Sequence, residues 1–285
     1  MRIVAYPVFK HAGSLMGSFD SRDPRRSDFS ESHVEVDLRR CEFIQPAAVL
    51  WCVLYPLLAL ERGATCEILV PENLGVCIYL RTLGVIELLK DNGVSIDDRD
   101  IPQRDAEQLI VPLTRFDTES DVEQAANQAE EALMDSGLGS ANLYPVVSNT
   151  FAELAMNAVQ HSQSEIGAYG FIQFYESERG RRFVCGVADG GIGIRRSLES
   201  NPEHRGKVPY DWIAIEHAVK ERVSGTGDQH RGIGLFGIAE EMRKADRQLY
   251  IHSGIGVLRT SEDMQSEARR TRLLPGTLGY ASIPA

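Results

Sequence analysis

The first half of the chain alternates short apolar strands with apolar helices. Residues 34–38 alternate apolar and polar side chains, as a half-buried strand does. Residues 46–60 carry no charge, and Pro46 fits the first turn of a helix there. The pattern predicts an α/β domain over residues 1–115. Its predicted strands are 1–10, 34–38 and 66–70, its predicted helices are 46–60, 73–82 and 85–89, and residues 12–32 form a polar loop.

The helix predicted at 46–60 is apolar on every side. It is shorter than the roughly 20 residues that span a membrane, and Pro56 interrupts it, so we expect a buried helix. A helix that lies on one sheet needs only an apolar stripe. The second side, near Trp51 and Tyr55, therefore packs within its own domain, against the second domain or against another subunit, and the sequence leaves these alternatives open.

A polar stretch around residues 91–105 separates the two halves, and we place the second domain at residues 116–285. Its first helix has Thr118 or Ser120 as a candidate N-terminal cap. The elements predicted for this half are helices at 117–136 and 151–161, the second of which begins near residues 142–145, and a β-hairpin of strands 169–175 and 182–188.

The helix predicted at 151–161 carries a polar face. Glu153, Asn157 and His161 lie one helical turn apart, so they fall within an arc of about 80°. A carboxylate, a carboxamide and an imidazole stacked in this way can act as general base, cation ligand and polar anchor. Alone, three such residues are more typical of a solvated helix face.

Three glycine-rich stretches follow this helix. Residues 189–193, DGGIG, come after the strand-like FVCGVA, and residues 232–237, GIGLFG, open a helix. Pro275-Gly276-Thr277 precede a last strand. Glycine turns between strands and helices are common, so each stretch alone indicates only a turn.

Together, ELAMNAVQH, DGGIG, GIGLFG and the Pro-Gly-Thr turn resemble the four motifs of the GHKL superfamily. This is the ATP-binding fold shared by gyrase-type topoisomerases, histidine kinases and mismatch-repair ATPases. ELAMNAVQH is most similar to the N box of the anti-sigma serine kinases. The resemblance implies a GHKL, or Bergerat, α/β sandwich with a mixed sheet over residues 116–285, and it implies ATP and Mg²⁺ as ligands.

The resemblance also implies roles for residues of this chain. Asn157 would bind Mg²⁺, and Glu153 would orient or deprotonate the attacking nucleophile. Asp189 would accept a hydrogen bond from the adenine amino group, with Thr277 helping through water. A base that presents a carbonyl instead would leave the aspartate unsatisfied, at a cost of about 1–3 kcal/mol.

Glycines and a long insertion complete the implied site. Gly191 and Gly193 would leave room for the base, and His161 either contacts phosphate or is a structural imidazole at the helix end. Residues 195–231 have the length of the lid that closes over ATP in this superfamily, and Arg231 or His230 would contact the γ-phosphate. Solvated charges on a loop are the simpler explanation of these two residues. The residues implied near the phosphates are Arg231, Gly232, Gly234 and Leu235.

The first domain resembles the STAS fold of anti-sigma antagonists. The resemblance rests on the order strand, FIQPAAVLW, long helix, ERGATCEILVP and a helix ending TLGVIELL. Where those antagonists carry a phosphorylatable serine, this chain has Gln45-Pro46-Ala47-Ala48, which contains no hydroxyl. The resemblance therefore implies an interaction or sensing module without a phosphorylation switch.

Composition narrows the class of partner and the compartment. The 285 residues carry a formal charge of −11, which disfavours a general nucleic-acid surface. The five cysteines form no CxxC pair, which favours reduced thiols over disulfides or a zinc site. The N-terminus has no export pattern, so we expect a cytoplasmic protein. We expect a regulatory protein partner, for which a neighbouring operon gene is the first candidate. We expect no nucleic acid and no membrane, and homodimer formation stays open.

Three hypotheses of function remain. The first is an ATP- and Mg²⁺-binding regulatory protein whose lid closure changes a partner contact, with slow ATP hydrolysis. The second is a serine or threonine protein kinase of the anti-sigma type. The third is a nucleotide-binding scaffold without turnover.

Overall fold

The computed structural model describes residues 2–5, 8–9, 15–16, 33–97, 101–102, 108–177, 180–220, 234–244, 246–261 and 264–285. The chain divides into two compact units, Met1–Ala106 and Glu107–Ala285. The architecture is mixed α/β, with a largely parallel sheet in the first unit and an antiparallel sheet in the second. Of the loop predicted at 12–32, only Leu15–Met16 is described, and it is a strand.

The first unit is a sheet with helices in its connections. Its elements are β1 (Arg2–Ala5), β2 (Val8–Phe9), β3 (Leu15–Met16), β4 (His33–Asp37), β5 (Phe43–Ile44), α1 (Pro46–Glu61), β6 (Thr65–Leu69), α2 (Leu74–Thr82), α3 (Val85–Asp91) and β7 (Ser95–Ile96). The main sheet has the strand order β3-β1-β4-β6-β7, and each of its pairings is parallel except that of β1 with β3. Strands β2 and β5 pair in parallel as a separate two-stranded sheet. The parallel pairing of β4 with β6 follows from α1, because a crossover helix returns the chain in the same direction.

Helix α1 is buried along most of its length, as its uncharged sequence predicts. Trp51 is 3% exposed and Tyr55 is 1% exposed, and their rings stack with centroids 5.3 Å apart. Helix α1 packs against other elements of its own unit. Within the described ranges, no helix is long and apolar enough to cross a membrane.

The second unit packs helices on an antiparallel sheet. Its elements are β8 (Leu109–Phe116), α4 (Glu119–Ser136), a 3₁₀ turn (Ala141–Leu143), α5 (Tyr144–His161), β9 (Ala168–Ser177), β10 (Gly180–Asp189), α6 (Gly193–Ser200), α7 (Asp211–Lys220), α8 (Gly234–Glu241), β11 (Gln248–Ser261) and β12 (Met264–Pro284). The strand order is β11-β12-β10-β9-β8.

The mixed sheet expected for residues 116–285 is wrong, because the pairings of these five strands are all antiparallel. The chain reverses direction between β9 and β10 and again between β11 and β12, and β12 then pairs antiparallel with β10. Strand β11 runs parallel to β10, but β12 lies between them, so no two neighbouring strands among the described residues of this sheet are parallel.

Strand β8 lies on the second side of the predicted boundary. The sequence placed residues 109–115 in the first domain, whereas β8 pairs with β9 and forms an edge of the second sheet. Pro112 is tolerated there because an edge strand has one unpaired side, and the register with β9 is irregular on either side of it. Nothing in the local pattern identifies the partner of an edge strand, so the boundary was set too late.

Helix α4 begins at one of the two predicted caps. The Asp121 amide donates to Thr118 Oγ1 at 3.2 Å, and the Thr118 amide donates to the Asp121 carboxylate at 2.8 Å, so the two residues form a capping box. Phe116 at the end of β8 meets Phe151 of α5 edge to face, with ring centroids 5.8 Å apart. These contacts fix α5 over the sheet.

Candidate functional site

A cavity lies between α5 and the sheet of the second unit. Side chains from α5, α6, α7 and α8 and from the ends of β10, β11 and β12 line it. The predicted site residues that line it are Asn157, His161, Asp189, Gly193, Gly234, Leu235 and Thr277.

The other predicted site residues have different positions. Glu153 lies one turn before Asn157 on α5 and contacts the start of α8, and Gly191 packs against the loop that follows α5. Arg231 and Gly232 lie outside the described residues.

Three neighbouring strands bring Asp189, Thr277 and Ser253 into one row. Thr277 of β12 pairs with Asp189 of β10 on one side and with Ser253 of β11 on the other. Directly opposite residues share one face of a sheet. Two aligned hydroxyls and a carboxylate therefore lie side by side at one end of the cavity.

The floor of the cavity is the next row of the same sheet. Gly279 of β12 pairs with Val187 of β10 and with Ile251 of β11, and all three line the cavity. A Cβ on Gly279 would lie 2.6 Å from Leu154 Cδ2, so the missing side chain lets α5 approach the sheet closely. The floor is apolar and suits the face of a flat ring.

Asp189 is 3% exposed, and the Gly191 amide donates to its Oδ1 at 2.8 Å. A Cβ on Gly191 would lie 1.9 Å from the Ser162 carbonyl oxygen, so this glycine makes room for the protein backbone and not for a base, contrary to the expectation from sequence. Gly276 has φ of +84°, and its Cβ would lie 2.0 Å from the Asp189 carbonyl oxygen. Both glycines hold Asp189 in place.

Asn157 lines the cavity with its carboxamide. Its Nδ2 donates to the Glu153 carbonyl oxygen, one turn earlier, at 2.7 Å. This bond uses one of the two N–H groups of the carboxamide, and Oδ1 is its acceptor atom. His161 is half-buried in the last turn of α5, and burial lowers the pKa of its imidazole, so it is neutral at pH 7.

Glu153 is half-buried, and burial raises the pKa of its carboxyl. The Gly234 amide, at the start of α8, donates to this carboxylate and offsets part of that rise in pKa. A carboxylate at a helix N-terminus is also favoured by the helix dipole. Glu153 therefore connects α5 to the first turn of α8.

The cavity has little positive charge of its own. No Lys or Arg occurs among the described residues that line it. Within the same described part of the chain, no three His, Cys, Asp or Glu side chains group together in a way that could hold a metal ion. An anionic ligand would depend on backbone amides at the start of α8 and on a cation that it brings with it.

The first part of the segment predicted as a lid is a fixed wall. Helices α6 and α7 share a small core with Leu198 and Ala214, and the Ile255 amide of β11 donates to the Asp211 carboxylate of α7 at 2.8 Å. A Cβ on Gly256 would lie 2.6 Å from the Trp212 nitrogen, so α7 packs directly on β11. Residues 221–233 of the predicted lid lie outside the described residues.

Sequence reasoning missed three serines of the site. Ser162 lines the cavity and its carbonyl oxygen accepts from the Ile192 amide at 2.7 Å, while Ser164 Oγ accepts from the Gly190 amide at 3.3 Å. Serines directly after a helix end often bond to the backbone of a turn, and this signal could have found the first two. Ser253 had no such signal, because β11 was not predicted.

Comparison of the chain with protein-family models gave no match, and a search of curated proteins gave none either.

Proposed function

We propose that the second unit is a GHKL-type domain that binds ATP with Mg²⁺, and that nucleotide occupancy controls contact with a protein partner while ATP is hydrolysed slowly. The observation that supports this best is the buried Asp189, aligned with Thr277 at one end of an apolar cavity that also contains the start of α8. A flat base with an amino group and a charged tail matches that arrangement.

The base would lie on the floor of Val187, Gly279 and Ile251. Asp189 would accept a hydrogen bond from the exocyclic amino group of adenine. A 6-oxo purine would set its carbonyl against the buried carboxylate, which costs about 1–3 kcal/mol for an unsatisfied polar group. We therefore expect a preference for adenine of about one to two decades.

The residues at the other end fit a magnesium-bound phosphate chain. Mg²⁺ takes few protein ligands and keeps several waters, so the single carboxamide oxygen of Asn157 is sufficient without an acidic cluster. When bound, Mg²⁺ neutralises charge on the phosphate oxygens. The amides of Gly234 and Leu235 would bind phosphate oxygens at the start of α8, where the helix dipole favours negative charge.

Glu153 would act as the general base. Its carboxyl has a pKa raised by burial, which brings it closer to neutral pH and improves proton transfer. Glu153 accepts a hydrogen bond from the Gly234 amide, and it would exchange that bond for one to water or to a substrate hydroxyl. His161 is neutral and lines the cavity beside Asn157, where it would contact the phosphate chain or its waters.

Product analysis tests this proposal. Glu153→Ala should retain ATP binding and lose release of ADP, whereas wild type should release ADP and inorganic phosphate slowly. Radiolabel from γ-labelled ATP on a serine or threonine of a partner would instead favour the protein kinase. Binding without any product would favour the scaffold. A pull-down with and without ATP would then identify the partner.

We further propose that the first unit is a STAS-like interaction module without a phosphorylation switch. Ala47 is 8% exposed and Ala48 is fully buried at the start of α1, where a phosphorylated residue would need access. Phosphate located by mass spectrometry between residues 43 and 50 would contradict this proposal, because that segment contains no hydroxyl.

A further inference from the structure

We infer that Ser253 is a positioning residue: it fixes the hydrogen-bonding role of the Thr277 hydroxyl, and thereby strengthens the preference of the site for a 6-amino over a 6-oxo purine. The inference rests on the proposed function, because it concerns the base that the cavity would hold. Ser253 is 2% exposed and lies directly opposite Thr277 in the sheet.

The hydroxyl of Ser253 meets three groups. Its Oγ lies 2.9 Å from the Ile194 amide nitrogen, 3.2 Å from the Gly276 carbonyl oxygen and 3.1 Å from Thr277 Oγ1. The amide can only donate and the carbonyl can only accept, whereas the threonine hydroxyl can do either. The first two groups therefore use one lone pair and the single proton of Ser253.

This leaves one role for Thr277. If Ser253 accepts from Ile194 and donates to Gly276, its remaining lone pair must accept the proton of Thr277. If Ser253 donated to Thr277 instead, the carbonyl of the buried Gly276 would lose this donor, and an unsatisfied buried group is unfavourable. The arrangement that satisfies all three groups turns the lone pairs of Thr277 away from Ser253.

The end wall of the cavity then consists of acceptors. Thr277 lines the cavity as an acceptor, next to the carboxylate of Asp189 in the same row. A 6-amino purine offers protons to such a wall, directly or through water. A 6-oxo purine offers a carbonyl oxygen, which needs a hydrogen-bond donor. Thr277 cannot supply one, because its proton is donated to Ser253.

Gly193 belongs to the same arrangement. A Cβ on Gly193 would lie 2.9 Å from Ser253 Oγ, so the glycine gives Ser253 its place beside the start of α6. The expectation from sequence was that Gly193 leaves room for a base. In the structure its missing side chain also leaves room for the residue that orients Thr277.

The test compares ATP with inosine triphosphate, which has a 6-oxo group in place of the 6-amino group and a proton on N1. Affinities are measured by calorimetry with Mg²⁺ for wild type, Ser253→Ala, Ser253→Cys, Thr277→Val and the Ser253→Ala/Thr277→Val double variant. Thr260→Val is the matched control, because Thr260 is a fully buried hydroxyl on the same strand that does not line the cavity. Ser253→Cys preserves most of the volume in case the alanine variant does not fold.

We expect wild type and Thr260→Val to prefer ATP at least about tenfold. Ser253→Ala and Ser253→Cys should reduce the preference about three- to tenfold, mainly through tighter binding of inosine triphosphate. The double variant should match Thr277→Val, because Ser253 acts through Thr277. A purely structural role would lower both affinities and leave their ratio unchanged.

The outcomes separate two kinds of failure. Suppose that wild type prefers ATP. If the folded Ser253 variants keep the wild-type ratio of the two affinities, or if the effects of Ser253→Ala and Thr277→Val on that ratio add in the double variant, the role of Ser253 is refuted. The proposed binding of ATP then still stands. If wild type binds neither nucleotide, the proposed function fails and the role of Ser253 fails with it.

Discussion

The packing of α5 on the cavity floor makes a quantitative prediction for Gly279→Ala. The new Cβ would lie 2.6 Å from Leu154 Cδ2, whereas carbon atoms in contact are about 3.5–4.0 Å apart. The Leu154 side chain, α5 or β12 must therefore shift by roughly 1 Å, and overpacking of this kind costs about 1–3 kcal/mol. Since both residues line the cavity, the same displacement should weaken ligand binding.

Removal of the leucine side chain should relieve the clash. Leu154 is 5% exposed, and Leu154→Ala alone should cost about 2–5 kcal/mol through lost burial and a cavity. In the Gly279→Ala/Leu154→Ala double variant the added methyl has no Cδ2 to meet. The double variant should therefore be more stable than the sum of the single effects predicts, by about 1–3 kcal/mol.

Urea denaturation of the four proteins measures this coupling, with a common m-value as the condition for comparison. Leu133→Ala is the matched control, because Leu133 is a fully buried leucine on α4. Its effect should add to that of Gly279→Ala. Additive effects of Gly279→Ala and Leu154→Ala would show that α5 does not pack on Gly279 as described.

Three further predictions concern α5 and its loop. Glu153→Gln should stabilise the fold at pH 7, because the raised pKa of Glu153 means that its ionisation opposes folding. The difference in urea midpoint between this variant and wild type should vanish below about pH 4. A difference that does not change with pH would contradict this. Burial lowers the pKa of His161, so the unfolded chain takes up the proton before the folded chain does. The stability of wild type should therefore fall more than that of His161→Asn as the pH drops through about 6.5. Parallel curves of stability against pH would contradict this. Gly191→Ala should cost about 3 kcal/mol or more through its clash with Ser162. Gly206→Ala is the control: its new Cβ meets no atom within 4 Å, and the φ of +79° should cost only about 1–2 kcal/mol. Equal costs for the two variants would refute the close contact between Gly191 and Ser162.

Local patterns predicted the elements that carry the site. The helices predicted at 46–60 and 73–82 agree with α1 and α2 to within one residue at each end, because uncharged or periodic stretches of that length have few alternatives. The polar face of α5 and the hairpin of β9 and β10 followed from spacing and alternation in the same way.

Pairing between distant strands was beyond such reasoning. The register that aligns Ser253, Thr277 and Asp189 joins three separate strands, and no residue in any one of them specifies its partners. The prediction that Gly191 leaves room for a base is wrong for a related reason. The glycine makes room for the carbonyl of Ser162, which is distant in sequence. Strand β11 was missed because the glycines in HSGIGV interrupt its alternation.

Calorimetric titration of wild type with ATP, with Mg²⁺ and then with a chelator, tests the central claim most directly. Asp189→Asn and Asn157→Ala accompany it, with adenosine as a second ligand. We predict that wild type binds ATP in a Mg²⁺-dependent manner, because no described lining residue is cationic, and that adenosine binds without this dependence. Asp189→Asn should weaken both ligands and Asn157→Ala only ATP. A folded wild type that binds neither ligand would contradict the proposed nucleotide site.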